Sequence, residues 1–165
     1  MTLSAFTALP DDARLWLLAL TEPAEAAALA PEMDTLLGRW QHKGTRYQAT
    51  WTLLERRILA IVEPTLATEP SGCAIDGMLR GVKQAVARLD LALEDPQAVL
   101  VRLPEGLHAI PRSELEIRIA DGSLDGATTV LDLALLTLGE LRSGRFERPL
   151  ASTWIGRKYK LQPVG

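Results

Sequence analysis

The amino-acid sequence predicts an α+β fold in which the elements follow the order β-α-β-β-α-β. Three observations predict it: short apolar runs typical of buried strands, one alternating segment typical of an edge strand, and two helical stripes between them. This order is the ferredoxin-like pattern, an antiparallel four-stranded sheet with two helices on one face. The 165 residues are expected to form a single domain, with the core over about 12–111 and a C-terminal α/β extension over about 112–165 packing on it.

The first strand and the first helix lie before residue 45. Residues 14–20 form an apolar run between acidic and proline-containing segments, with the length of a buried strand. Gly44 predicts the end of the helix, which places His42 in its last turn. The apolar face of this helix, spaced i, i+3, i+4 and i+7, consists of Met33, Leu36, Leu37 and Trp40.

Two further strands form the next part of the predicted sheet. Apolar and polar residues alternate over 47–53, which indicates a half-buried edge strand. After a tight turn at 55–57, the run 58–62 is apolar throughout, as in an inner strand. Inner strands of this kind need cover on both faces of the sheet. We expect either the C-terminal third or a second copy of the chain, in a homodimer, to supply it.

The remaining elements follow a second helix that begins at Cys73. A fourth strand is predicted over 98–103 and a short return strand over 107–110. The C-terminal third predicts a short helix over 113–120 and a strand over 127–131. Asp132 is a suitable N-cap for a helix over 133–143, which Gly144 ends. The segment 149–161, which contains Trp154, is expected to be extended.

Composition and charge exclude several classes of function. The net charge is −3, and the inner strand 58–62 has no aromatic residue, so nucleic-acid binding is not expected. We find no signal peptide and no run of about 18 apolar residues, which predicts a cytoplasmic protein without a membrane span. The single cysteine excludes a disulfide framework and a multi-thiolate metal site, and no cofactor is predicted.

Charge is distributed unevenly along the chain. Residues 88–132 are mostly acidic, whereas the chain is basic from Arg142 onward. Two solvated faces that compensate each other are one interpretation; a basic tail that docks on an anionic partner, anchored by Trp154, is the other. The basic residues are Arg142, Arg145, Arg148, Arg157, Lys158 and Lys160.

The hexapeptide Ser71-Gly72-Cys73-Ala74-Ile75-Asp76 is the most informative motif of the chain. It stands where the second helix begins, so the Cys73 thiol faces unpaired backbone N–H groups and the positive end of the helix dipole. Both features favour thiolate over thiol. Gly77 and Gly81 follow four residues apart, which indicates close packing of this helix on the sheet.

The predicted topology brings the end of the first helix and the start of the second to one end of the sheet, because the two helices run antiparallel. His42 and Cys73 should therefore be neighbours in space. The start of strand two and the end of strand three reach the same place. The predicted rim contains Trp40, His42, Arg46, Glu63, Cys73 and Asp76.

Three hypotheses account for this rim. In the first, Cys73 is a nucleophile with His42 as its base, which makes the chain a cysteine-dependent enzyme or a thiol redox switch. In the second, the helix start binds an anionic small molecule, and the chain is a binding or assembly module. In the third, Cys73 is a small buried residue, Asp76 a cap and His42 a helix-end residue. The residues assigned to the ligand site are Arg46, Glu63, Ser71, Gly72 and Asp76.

These motifs resemble a family of small bacterial proteins with no known activity, whose members share S-G-C-S-I-D, a W-x-x-H-G variant and a V-D-E strand end. The similarity covers about residues 14–154, and Ala74 and the position of His42 depart from the family pattern. Members are often labelled ABC transporter ATPases. That label has no support in this chain, because no G-x-x-x-x-G-K-[ST] loop is present to bind phosphates.

Overall fold

A computed structural model describes residues 3–64 and 70–163. The chain divides into two compact units, the first formed by Met1–Glu94 with Leu133–Arg142 and the second by Asp95–Asp132 with Ser143–Gly165. This division does not follow the predicted boundary near residue 111. The fourth predicted strand belongs to the second unit, and a ten-residue segment of the C-terminal third belongs to the first.

Helices and antiparallel sheets make up the described residues, which confirms the α+β class. Three short 3-10 helices are Ser4–Phe6, Arg112–Glu114 and Leu150–Ser152. The α-helices are α1 (Ala26–Arg39), α2 (Gly72–Ala87), α3 (Leu115–Ala120), α4 (Leu138–Arg142) and α5 (Trp154–Lys158). The strands are β1 (Arg14–Ala19), β2 (Gln41–His42), β3 (Thr45–Arg46), β4 (Thr50–Leu54), β5 (Ile58–Glu63), β6 (Val99–Leu103), β7 (Gly106–Ile110), β8 (Thr129–Leu131) and β9 (Glu147–Pro149).

The main sheet of the first unit has the strand order β1-β5-β4, with antiparallel pairing throughout. The apolar run 58–62 is the inner strand and the alternating segment lies at an edge, as predicted. Every residue of β5 is at most 1% exposed in the single chain. A second copy of the chain is therefore not required to cover this strand.

The predicted fourth strand is not part of this sheet, so the strand order differs and the ferredoxin-like topology is not confirmed. Two isolated bridges, Arg14↔Thr137 and Leu20↔Leu93, lie at the start of β1 and directly after its end, where the fourth strand was expected to pair. Pro96, which has no N–H, follows shortly after Leu93. Beyond this proline, β6 instead forms a hairpin with β7, and a two-residue turn separates the paired residues Leu103 and Gly106.

The core of the first unit lies between the sheet and the helices α1 and α2. Met33 and Met78, each 1% exposed, are central to it. The α1 stripe is as predicted at Met33 and Leu37, whereas the helix begins seven residues before Met33, at Ala26. The remaining buried members include Leu29, Leu59, Ile61, Ala74, Val82 and Val86.

The second unit contains an antiparallel sheet of order β7-β6-β8-β9. The predicted return strand, the short helix and the strand near residue 130 are present as β7, α3 and β8. The buried cluster of this unit consists of Val99, Val101, Ile110, Leu115, Leu124, Val130, Leu150 and Ile155.

Two predictions about the C-terminal third are wrong. The helix expected over 133–143 forms only as α4, because Thr137 rather than Asp132 caps it. Glu140 N donates to Thr137 Oγ1 at 3.3 Å, and Glu140 Oε2 accepts from Thr137 N at 3.2 Å, which is a capping box. The segment 149–161 is not extended, since it contains a 3-10 turn and α5.

Candidate functional site

An open groove lies in the first unit at the end where α1 finishes and α2 begins. Its volume is about 310 Å³. The predicted neighbours His42 and Cys73 both line its walls. The groove is lined by Leu36, Arg39, Trp40, Gln41, His42, Cys73, Ala74, Gly77 and Met78.

Trp40 fixes the relative position of the groove walls. Its indole Nε1 donates a hydrogen bond of 2.8 Å to the carbonyl oxygen of Ala74, in the first turn of α2. The ring contacts Trp16 edge to face at 5.6 Å and Tyr47 at 4.5 Å between centroids. Because Trp40 is only 6% exposed, the aromatic cluster forms a rigid base beneath the groove.

His42 lies on the short hairpin formed by β2 and β3, and not in the last turn of a helix as predicted. α1 ends at Arg39, and the next residue, Trp40, is extended with φ −66° and ψ 117°. His42 pairs with Thr45 across the two-residue turn Lys43-Gly44. Both turn residues have positive φ, 49° and 81°, as a type I′ hairpin turn requires. The hairpin therefore aims His42 at the groove independently of the helix.

Cys73 is exposed and is the second residue of α2. The hypothesis that it is a small buried residue is therefore wrong. Ser71 is the N-cap, and its Oγ accepts from Ala74 N at 3.2 Å. Asp76 was predicted as a cap, but it is exposed on α2 and does not line the groove.

Arg46, Glu63, Ser71 and Gly72 also lie outside the groove lining. Arg46 is exposed on β3, and Gly72 is the exposed first residue of α2. Glu63 ends β5 at 1% exposure, and its Oε1 accepts from Gln48 N at 3.0 Å. The buried Glu63 carboxylate therefore supports the backbone before β4 and does not face a ligand in the groove.

Sequence reasoning missed six lining residues as part of the site: Leu36, Arg39, Gln41, Ala74, Gly77 and Met78. A signal for one of them was present. Gly77 follows Cys73 by four residues, so the two lie on one helix face. The structure also corrects the role of the glycines. Gly81 faces Leu36 of α1, whereas Gly77 has no neighbouring atom within 4 Å of the position of a Cβ.

The described part of the chain contains neither a group of metal-ligating side chains nor a helix that could span a membrane. Within residues 3–64 and 70–163, no three His, Cys, Asp or Glu side chains are placed to hold a metal ion. Over the same residues, no helix combines the length and the apolar character needed to cross a bilayer.

Comparisons of the chain with protein-family models, with curated proteins and with solved structures found no match.

Proposed function

We propose that this chain is a binding module whose site is the groove between α1, the β2–β3 hairpin and α2. Its ligand is a small molecule with an apolar body and an anionic group. The observation that carries the proposal is that one groove combines an apolar floor with cationic and hydrogen-bonding side chains. We place the protein in the cytoplasm, because its free thiol suits a reducing compartment. Membership of the S-G-C-[SA]-I-D family belongs to the same proposal.

The apolar floor supports a ligand with an apolar body. Leu36, Trp40 and Met78 contribute apolar surface to the lining. A volume of about 310 Å³ is at the lower end of the range for small-molecule sites, so a ligand of few heavy atoms fits. Because the Trp40–Ala74 hydrogen bond already holds the walls together, the groove needs no rearrangement to accept it.

The polar part of the lining supports an anionic group. Arg39 is exposed at the end of α1, and its guanidinium suits a carboxylate or a phosphate. His42 adds a second nitrogen donor from the hairpin. The first N–H groups of an α-helix have no acceptor within the helix, and Cys73 stands in this first turn of α2.

Protection of Cys73 from alkylation tests the proposal. The native protein is treated with iodoacetamide in the presence of a panel of small apolar carboxylates, beginning with benzoate and hexanoate. The matching neutral amides serve as ligand controls. Carboxylates are expected to slow the alkylation of Cys73, and the amides to do so much less. Failure of every carboxylate to protect Cys73 would reject the anionic ligand.

A matched pair of variants assigns the protection to the groove. Gly77→Leu places a side chain in the groove and is expected to abolish protection. Gly72→Leu adds the same side chain to the same helix, but Gly72 does not line the groove. No atom lies within 4 Å of its Cβ position, so the leucine has room there as well. Protection should persist in Gly72→Leu. Equal protection in both variants would place the ligand elsewhere.

The alternative function is thiol chemistry by Cys73, as a cysteine-dependent enzyme or a redox switch. It is favoured by the placement of the exposed Cys73 and the half-buried His42 on one groove. Cys73→Ser separates the two functions, because it removes a nucleophile while leaving a binding groove intact. His42→Ala should slow the alkylation of Cys73 only if His42 acts as its base.

A further inference from the structure

The exposed face of α5, in the second unit, carries an aromatic residue and two cations. Trp154 is 40% exposed, and Arg157 and Lys158 are exposed, whereas Ile155 and Gly156 between them are buried. Residues at i, i+3 and i+4 of a helix share one face. The alternation of exposed and buried residues along α5 therefore places Trp154, Arg157 and Lys158 on one exposed face of the helix.

A third cation, from the 3-10 helix Arg112–Glu114, contacts the ring of Trp154. The Arg112 guanidinium lies 5.1 Å from the centroid of the Trp154 ring, and its Nε donates to Gln97 O at 3.0 Å. The orientation of the guanidinium is thus set by two contacts. We call Arg112, Trp154, Arg157 and Lys158 the Trp154 patch.

The cations of the Trp154 patch lack carboxylate partners within residues 3–64 and 70–163. None of Arg112, Arg157 and Lys158 forms an ion pair there. Other arginines of the same unit are paired: Arg118 contacts Glu114 at 3.2 Å, and Arg102 contacts Glu147. The patch therefore keeps positive charge available to an outside group.

Buried residues anchor the backbone of α5, which carries three of the four residues of the Trp154 patch. A helix of five residues does not persist alone, and α5 depends on its contacts. Ile155 is 1% exposed, and buried Thr153 caps the helix by accepting from Ile155 N at 3.2 Å. A Cβ on Gly156 would stand 2.2 Å from Ala151 O, so this end of the helix lies directly on the preceding turn. Such rigidity reduces the conformational entropy lost on binding.

We propose that the Trp154 patch binds an acidic segment of a partner protein in which carboxylates flank an apolar side chain. Tryptophan and arginine are the residue types most enriched where protein interfaces gain their affinity. The planar guanidinium of Arg112 suits a carboxylate, and the indole face accepts the apolar side chain. Three cations on a chain of net charge −3 are too few for the many phosphate contacts of nucleic-acid binding. The inference is independent of the function proposed for the groove.

Titration of the full chain with defined peptides, followed by the indole N–H resonance of Trp154 in ¹H–¹⁵N spectra, tests the proposal. The probe is a Glu-Leu-Glu-Glu-Leu-Glu peptide, and its control has glutamine at every glutamate. Spectra of Trp154→Phe identify the resonance among the four tryptophans. The glutamate peptide is expected to shift this resonance saturably, and the glutamine peptide to leave it unchanged.

Charge reversal assigns the binding to the patch. The Arg157→Glu/Lys158→Glu double variant should weaken binding of the glutamate peptide by about tenfold or more. Arg80→Glu/Lys83→Glu, two exposed cations of α2 in the other unit, makes the same change in net charge and should leave the affinity unchanged. An equal loss in both double variants would overturn the assignment to the patch.

Two further probes decide the class of partner. A ten-nucleotide oligothymidylate and phosphatidylserine vesicles are added under the same conditions. The indole N–H resonance of Trp154 could shift with the oligonucleotide or the vesicles and not with the glutamate peptide. This result would overturn the acidic protein segment as the partner and identify a nucleic acid or a lipid surface instead. Absence of any shift with all probes would reject the docking surface.

Discussion

The indole Nε1 of Trp40 donates a 2.8 Å hydrogen bond to the carbonyl oxygen of Ala74, 34 residues later in the chain. The bond is buried and joins the residue after α1 to the first turn of α2. It fixes the spacing of the two walls of the groove. The backbone leaves the helical conformation at Trp40. This local change positions a site that two distant segments of the chain form together.

Trp40→Phe removes this buried donor and part of the ring. We expect the free energy of unfolding in urea to fall by about 1–3 kcal/mol, since a buried hydrogen bond is lost and a void remains. Trp51→Phe is the matched control. Its Nε1 donates to Asp34 Oδ1 at 2.7 Å in an exposed position, so its loss should cost less. An equal or larger effect at Trp51 would contradict the structural role of Trp40.

Gly77→Ala and Gly81→Ala should affect stability differently, although both lie inside α2. Alanine in a helix interior is favoured over glycine by up to about 1 kcal/mol, and nothing stands near the Gly77 Cβ position. We therefore expect Gly77→Ala to raise the free energy of unfolding. At Gly81 the added Cβ would lie 2.4 Å from Leu36 Cδ1, so this side chain must move. In urea unfolding, the free energy of unfolding of Gly77→Ala should be higher than that of Gly81→Ala.

Gly156→Ala is expected to destabilise the second unit by about 1–3 kcal/mol. The added Cβ would lie 2.2 Å from Ala151 O, a backbone atom that cannot rotate away. Thermal unfolding measures the effect, and Gly72→Ala, where no atom lies within 4 Å, is the control. A melting temperature of Gly156→Ala equal to that of the wild type would show that α5 does not pack as described.

The carboxyl group of Asp121 should titrate below its ordinary pKa of 3.8, because hydrogen bonds from the side chain and the backbone N–H of Ser123 stabilise the carboxylate. Because the pKa of Asp121 is lower in the folded state, its carboxylate stabilises the fold at pH values above the ordinary pKa. This contribution is lost as the pH falls through the folded pKa. Carbon-detected NMR titration checks the direction of the shift.

Ser123→Ala is the companion variant. It removes the hydroxyl and keeps the backbone N–H, whose distance to Asp121 Oδ1 is 2.8 Å. The pKa of Asp121 should therefore rise only part of the way to its ordinary value. A pKa of Asp121 at or above 3.8 in the wild type would contradict the described turn.

Several elements were predictable because local pattern and burial agree there. The apolar run of β5 and the apolar stripe of α1 could be identified from the local sequence alone, without knowing which elements pack against them. Helix direction also predicted the end of the sheet at which His42 and Cys73 line one groove, whereas the place of His42 on the β2–β3 hairpin was not predicted. The helix ends were less predictable. The end of α1 depends on the burial of Trp40, and the start of α4 on the capping box between Thr137 and Glu140.

The α+β class, the inner position of β5 and the end of the sheet at which the groove lies could be predicted from the amino-acid sequence, because they depend on side-chain periodicity and chain direction. The remaining features depend on the packing of the folded chain. In the folded chain the fourth predicted strand belongs to another sheet, Glu63 is buried, Cys73 is exposed, and Arg112 lies over Trp154. Strand pairing and side-chain exposure depend on residues that are distant in the chain. Several segments can pair with the same strand, and a local sequence pattern does not show which of them will do so.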